Sequence, residues 1–361
     1  MDSKVNPNRS TPVSVLSLVA VAFLIAMGAV STANAQPYLG SETCAECHLG
    51  KFMDFRVSGH PYKLSEASKA MERPIPLPEG YNWRDISYVI GGYKWKSRYM
   101  DLDGFIITSI KDGTPGMNQY NMMTGRWVDY HPGEEKPYDC GRCHTTGFSP
   151  DGSQGGLPGI QGTWEFGGVQ CEACHGPSAG GAPFTDDHGF IDDSAQLCGQ
   201  CHIRGGVDTI PASGGFIRHH EQYNEMLASP HADLACVACH DPHKKAKFSI
   251  RETCEDCHYN VAEKYAGSVM DLRGVTCVAC HMPFASKSAE ALGPHQGDIR
   301  THLFRINTER GAEMFTEDGG FVLLDDSGQG AVTLDFACQV CHTDKGFNWI
   351  EGKAKKFHQR G

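Results

Sequence analysis

Hydrophobicity is distributed unevenly along the chain. Residues 1–12 are polar and carry Lys4 and Arg9, Val13 to Val30 is almost wholly apolar, and Ala33-Asn34-Ala35 follows as a small-x-small pattern. That succession is the layout of an export signal cleaved after Ala35. The apolar stretch also has about the length at which a membrane span begins, but Ser14, Ser17 and Gly28 interrupt it. No later segment reads as a transmembrane helix. Leu49 to Ser58 fits a short helix, and Pro74-Ile75-Pro76-Leu77-Pro78-Glu79-Gly80 fits an extended linker. Ile86 to Ile90, Tyr93 to Met100 and Phe105 to Ile110 are rich in β-branched and aromatic residues. They predict a small antiparallel β insert around residues 86–130, with Asp101-Leu102-Asp103-Gly104 as a turn between two strands. The Asp-x-Asp-Gly run lacks the further ligands and late glutamate of a calcium loop, so a plain turn is expected. Beyond residue 140 the pattern breaks into Gly/Pro-rich loops and short helices, the signature of a mainly α chain with much irregular coil.

Composition accounts for little of this. Of 361 residues 40% are hydrophobic and 21% charged, with 42 Gly and 19 Pro, which is polar and turn-rich without being disordered. The polypeptide core is expected to be thin. Thirty-two bases against 43 acids disfavour a nucleic-acid binder that works by phosphate neutralisation. Loss of residues 1–35 removes Asp2, Lys4 and Arg9, leaving a charge of about −12.

The 16 cysteines change the picture. An exported chain with an even cysteine count is ordinarily a disulfide framework. Here they fall at Cys44/Cys47, Cys140/Cys143, Cys171/Cys174, Cys198/Cys201, Cys236/Cys239, Cys254/Cys257, Cys277/Cys280 and Cys338/Cys341. A histidine follows each second cysteine: His48, His144, His175, His202, His240, His258, His281 and His342. Eight C-x-x-C-H motifs therefore use every cysteine. This is the attachment signature of c-type haem, in which two thiols bond to one porphyrin edge and the adjacent histidine becomes the proximal iron ligand. Structural zinc wants four ligands from two separated pairs and fits poorly. Eight covalently bound haem c groups leave about forty residues each after cleavage, so haems must pack on one another and supply much of the apolar core.

The sixth iron position decides between electron carriage and chemistry. Ten histidines lie outside the motifs. His60 ends the short helix after the first motif and suits a neighbouring haem. His231 and His243 flank the fifth motif. His219 and His220 are adjacent, so diverging side chains would serve two haems. His295 and His302 are spaced by two helical turns, and His188 lies in a Gly- and Asp-rich loop. These eight are the distal candidates. His131 falls in the turn Tyr130-His131-Pro132-Gly133, and His358 in a basic tail, Lys353 to Arg360, expected to be frayed; both are left out of the distal set. A further possibility for His358 is a haem of another protomer. With histidines in surplus, methionines read as packing, and mostly bis-histidine haems follow.

Cys44-Ala45-Glu46-Cys47-His48 with His60 twelve residues on, Asp139-Cys140-Gly141-Arg142-Cys143-His144-Thr145-Thr146-Gly147-Phe148, and Gly168-Val169-Gln170-Cys171-Glu172-Ala173-Cys174-His175-Gly176-Pro177 make residues 44–202 resemble the tetrahaem cytochrome c-554 family. The second half resembles the broader multihaem cytochromes through Cys277-Val278-Ala279-Cys280-His281-Met282-Pro283. The resemblance implies a haem-organised, mainly α fold with stacked haem pairs serving electron transfer. The insert at 74–135 has no matched counterpart in it. A tetrahaem module at 36–205 bearing that insert, and a second at 206–361, are the expected domains.

The expected function is an octahaem c-type cytochrome, periplasmic or extracellular, that relays electrons between redox partner proteins such as other cytochromes or a membrane quinol-linked oxidoreductase, with no nucleic acid. No catalytic residue is assigned. The alternatives are an oxidoreductase acting on a small nitrogen or sulfur compound (hydroxylamine, nitrite, tetrathionate) at one open-site haem, and a self-associating, filament-forming extracellular cytochrome. Net negative charge favours positively charged partner faces.

Overall fold

The computed structural model describes Met1, residues 38–177 and residues 192–359. The expected export signal with its cleavage site after Ala35, and His188, lie outside the described residues.

A five-stranded antiparallel sheet runs in chain order through β1 (Leu64–Glu66), β2 (Tyr88–Gly91), β3 (Lys96–Met100), β4 (Gln119–Asn121) and β5 (Arg126–Val128). Its two-residue alternation sorts side chains into two cores. Val89 and Tyr99, paired across β2 and β3, bury with Ala70, Ile75, Ile86 and Ile107. Leu64, Ile90 and Met100 bury on the other side with Ile106, Tyr138, Ile160 and Trp164.

Phe105 to Ile110 does not form the expected third strand: Ile106 makes isolated bridges to Met100 and Lys136, and Ser109 to Pro115. The Asp101 carboxylate explains the departure. It accepts from the Asp103 and Phe105 amides at 3.0 and 2.9 Å, closing a tight Asx turn that throws the chain over the sheet. Gly104 at its apex has φ +86°, and a Cβ there would lie 2.7 Å from Ile160 Cγ1. The sheet instead extends through β1, which precedes the proline-rich stretch. That stretch is no free linker, since Ile75 is buried and the Tyr99 hydroxyl donates to the Pro76 carbonyl.

The longest helix among the described residues, Ser41–Arg56, carries the first motif and is broken at His48, whose dihedrals (φ −108°, ψ 40°) leave the helical region. The other motifs sit on single turns: helices Gly141–His144, Cys171–His175, Ala195–Gly199, Cys254–Cys257 and Cys277–His281, a 3₁₀ turn at Cys236–Ala238 and a π turn at Asp335–Gln339. A third core gathers Ile210, Phe216, Ile217, Leu303, Val332 and Phe336. Ile210, near the expected module boundary, is fully buried in it, and the Ala212 amide donates to the Gly320 carbonyl at 2.8 Å.

Two further expectations are corrected. Residues 295–302 are not helical; they run as irregular chain in which Ile299 bridges Ser286, because the Asp298 carboxylate is spent on the amides of Ser288 and Ala289. The basic tail is ordered as a helix, Phe347–Ala354, and a 3₁₀ turn, Phe357–Gln359, held by Phe357 against Tyr265. The sheet also reaches the C-terminal half: Lys96 Nζ donates to the Ser288 carbonyl at 3.1 Å, Asn121 Nδ2 to Ala289 at 3.2 Å, and Arg126 pairs with Glu290 at 2.6 Å. Among the described residues no helix is long and apolar enough to cross a membrane.

Candidate haem-binding sites

An iron bound by two imidazole nitrogens at about 2 Å each holds the ring centres on the order of 6 Å apart. Among the described residues five ring pairs have that spacing, and each joins one motif histidine to one outside the motifs. His60 faces His202 at 6.5 Å, His243 faces His175 at 6.1 Å, His231 faces His258 at 5.9 Å, His302 faces His240 at 6.2 Å and His358 faces His281 at 5.9 Å. Ring planes are nearly parallel for His175 with His243 (17°) and nearly perpendicular for His60 with His202 (84°).

Four of these rings have their second nitrogen engaged, whereas Nδ1 of His231 and of His302 is buried without a hydrogen-bond partner. Nδ1 of His202 donates to Gln222 Oε1 at 3.0 Å, of His281 to the Phe304 carbonyl at 2.7 Å, of His243 to Asp241 Oδ1 at 3.0 Å, and of His240 to Ser249 Oγ at 3.1 Å. Burial pushes His60 and His302 down to about 4, which keeps them neutral and able to ligate. The residues therefore fit haem c.

None of the cysteines is paired in a disulfide: Cys47, Cys174, Cys239, Cys254, Cys257 and Cys341 are exposed and the others half-buried. Sulfurs of different motifs touch: Cys44 with Cys171, Cys143 with Cys201, Cys198 with Cys236, and Cys254 with Cys277. The first and third motifs are clamped further. The buried Glu172 carboxylate accepts from the Leu39 and Gly40 amides at 2.9 and 2.8 Å, and Ser41 Oγ both donates to Gln170 Oε1 at 2.7 Å and accepts from the Cys171 amide at 3.1 Å.

The second motif has a different setting. His144 is buried, and burial together with the charges of Lys63 and Arg98 pushes it down to about 3. His219 and His220 lie in the same region, but they do not diverge: their ring centres are 4.6 Å apart and their nitrogens 3.3 Å. Arg204 reaches His220 Nδ1 at 3.2 Å and pairs with the buried Glu221. Lys96 and Arg98, two apart on β3 and so on one face, approach from the sheet; burial first, then Arg98, lowers Lys96 to about 7. Sequence reasoning missed this group, although the Lys-x-Arg alternation in a strand would have placed both cations on one side.

His358 was missed as well, and it faces His281 in the same chain. His295 lies 3.5 Å from Asp335 at the eighth motif and 5.2 Å from Phe336. His342 meets Trp349 at 5.3 Å. His131, with Nδ1 2.8 Å from Glu134, stays in its turn away from the motifs.

Residues 116–176 match the family described as cytochrome c554 and c-prime. That segment spans the second and third motifs and begins inside the β insert, so the insert is not wholly without a counterpart. Three solved structures share the fold. The octaheme sulfite reductase MccA of Wolinella succinogenes aligns with TM-score 0.62 and 16% identity over 84% of this chain and 65% of its own. The outer cell wall cytochrome OcwA aligns with TM-score 0.54 and 19% identity over 87% and 86%. An undecaheme cytochrome from the S-layer of Carboxydothermus ferrireducens aligns with TM-score 0.52 and 18% identity over 93% and 62%. This chain thus spans under two thirds of the first and third. The chain has the fold of the multihaem c-type cytochromes, with a c554-like segment at its second and third motifs.

Proposed function

We propose that this protein is an octahaem c-type cytochrome that relays electrons between redox partners outside the cytoplasm. The observation that carries the reading is the set of five opposed imidazole pairs at 5.9–6.5 Å, because closed six-coordinate iron exchanges electrons without binding substrate. Haem c, when attached, supplies the one-electron redox change. The chain's residues attach it through each cysteine pair, set two imidazoles against it and fix which motifs are neighbours. The thiols of neighbouring motifs touch or lie within electrostatic reach in the order first, third, fourth, fifth, sixth, seventh and eighth, with the second joined at the fourth. In this reading His295 serves the eighth motif, His219 or His220 the second and His188 the first, which gives each of the eight haems a second histidine.

A second reading rests on the second motif. Lys63, Lys96, Arg98 and Arg204 converge with His219 and His220 on the region of His144, a setting for a small nitrogen or sulfur oxyanion. The name of the Wolinella succinogenes neighbour is consistent with such chemistry. Carbon monoxide binding to the dithionite-reduced protein, with electron paramagnetic resonance of the oxidised form and a haem count by mass, separates the two. Eight haems, no Soret shift and low-spin signals throughout support the relay. One haem's worth of shift with a high-spin signal makes the second motif a substrate site, to be screened with sulfite, nitrite, hydroxylamine and tetrathionate.

A further inference from the structure

The chain is acidic, yet one face runs against its net charge. Lys51, Lys94, Lys244, Lys245 and Lys247 come from three separate segments and are all exposed. Lys51 Nζ lies 3.5 Å and Lys244 Nζ 3.8 Å from the Asp241 carboxylate, which offsets one of the five charges. Lys245 Nζ stands 5.7 Å from the centre of the Tyr93 ring, and its charge reaches Lys94. Beneath them the floor is firm: Tyr93 stacks on Tyr62 at 4.7 Å and 8°, and the Arg73 guanidinium lies 5.4 Å from the Tyr62 ring. Asp241, which anchors the lysines, also accepts from Nδ1 of His243, the ring opposed to His175.

We propose that this face docks an acidic electron-carrier protein at the redox group held between His175 and His243. The inference rests on the relay reading. At physiological salt the Debye length is about 8 Å, so an approaching partner feels this local patch rather than the net charge of the whole chain. Charge complementarity of this kind raises encounter rates about tenfold or more. The patch is one hydrogen-bonded residue, Asp241, away from a candidate iron ligand, so docking here places a partner's redox centre within a short reach. One electron leaves the carrier and the ferric iron of this site becomes ferrous; no bond forms or breaks. Net charge alone had pointed to basic partner faces, and this patch selects the opposite kind.

The test uses the haem-loaded protein, a Lys244→Glu/Lys245→Glu/Lys247→Glu variant, and a Lys51→Glu/Lys94→Glu variant that alters the other two segments. The probe is an acidic flavodoxin. Binding is measured by biolayer interferometry with both proteins oxidised, and electron transfer by stopped flow with the flavodoxin reduced. The expected result is binding that weakens about tenfold in each variant at low salt, rates that fall in parallel, and convergence with the wild type at high salt. Wild-type binding that is insensitive to salt, or variants that bind as the wild type does, would overturn the proposal. So would unchanged binding with shifted midpoint potentials, which would assign the lysines to the haem propionates. Loss of binding to phosphatidylserine vesicles, with no flavodoxin binding in any form, would also overturn it in favour of a membrane surface. Salt-dependent binding that survives without electron transfer leaves the docking face standing and fails the relay reading instead.

Discussion

An imidazole ligates iron as the neutral ring, and burial enforces that state at several positions: His60 and His302 sit at about 4, His144 and His220 at about 3. Those rings hold no proton to lose near neutral pH, so Lys96, lowered to about 7, is the cation of the second-motif group that titrates there. It is charged below that pH and neutral above it. If the second motif is a substrate site, nitrite affinity, read by optical titration, is therefore expected to be highest below pH 7 and to fall as pH rises through it, whereas Lys96→Met abolishes that limb. His358 carries the second residue-scale prediction. It faces His281 at 5.9 Å, and His358→Ala is expected to open one haem, giving one high-spin signal and one equivalent of carbon monoxide binding. Unchanged low-spin spectra would remove His358 from the ligand set. The sequence concealed this residue because Lys353 to Arg360 is locally just a charged tail. What brings it back is the distant Tyr265, against which Phe357 packs, and no local pattern encodes that contact. The diverging pair His219 and His220 misled for a related reason: adjacency sets alternate directions on a regular strand, but the short strand Phe216–Ile217 has already ended before them.

At the level of elements, richness in β-branched and aromatic residues was enough to find β2 and β3, each of which buries one set of residues on either face of the sheet. It failed for Phe105 to Ile110, equally rich in β-branched residues, because the Asx turn at Asp101 set the direction of the chain before pairing was possible. The motif turns were legible from the cysteines, but their mutual arrangement was not, since it depends on short bridges between them. Residues 168–169 form one such bridge: the Gly168 amide donates to the His144 carbonyl and the Val169 amide to the His60 carbonyl, both at 3.0 Å. Gly168 has φ +76°, and a Cβ there would sit 2.2 Å from the Pro61 carbonyl oxygen, a backbone atom that can yield only by moving His60. Gly168→Ala is accordingly expected to destabilise the fold by about 1–3 kcal/mol and to loosen the His60 to His202 pair. The check is a lowered melting temperature together with a fractional high-spin signal that a surface control such as Gly346→Ala, with open space around it and an ordinary φ of −76°, does not produce.

Across the whole molecule, three modest apolar cores are separated by motif segments with little of their own to bury. The extreme case is the sixth motif, where neither helix Cys254–Cys257 nor helix Tyr259–Tyr265 has a buried residue. Isolated helices shorter than about 12 residues are marginal in water, because nucleation costs more than so few hydrogen bonds return. Their order therefore has to come from the group attached at Cys254 and Cys257. The sheet is different: Val89, Tyr99 and Met100 are fully enclosed by protein atoms on both faces. This contrast predicts a graded response to haem loss. Replacing Cys254 and Cys257 by serine in otherwise loaded protein is expected to raise hydrogen exchange across residues 254–265 to the unprotected rate while β2 and β3 keep theirs. Removing attachment at all eight motifs is expected to abolish the cooperative melt altogether, because the polypeptide cores alone are too small to offset chain entropy. A haem-free chain that melts cooperatively, or a sixth-motif variant in which residues 254–265 stay protected, would mean that the protein supplies its own core and that haem is a passenger in the fold.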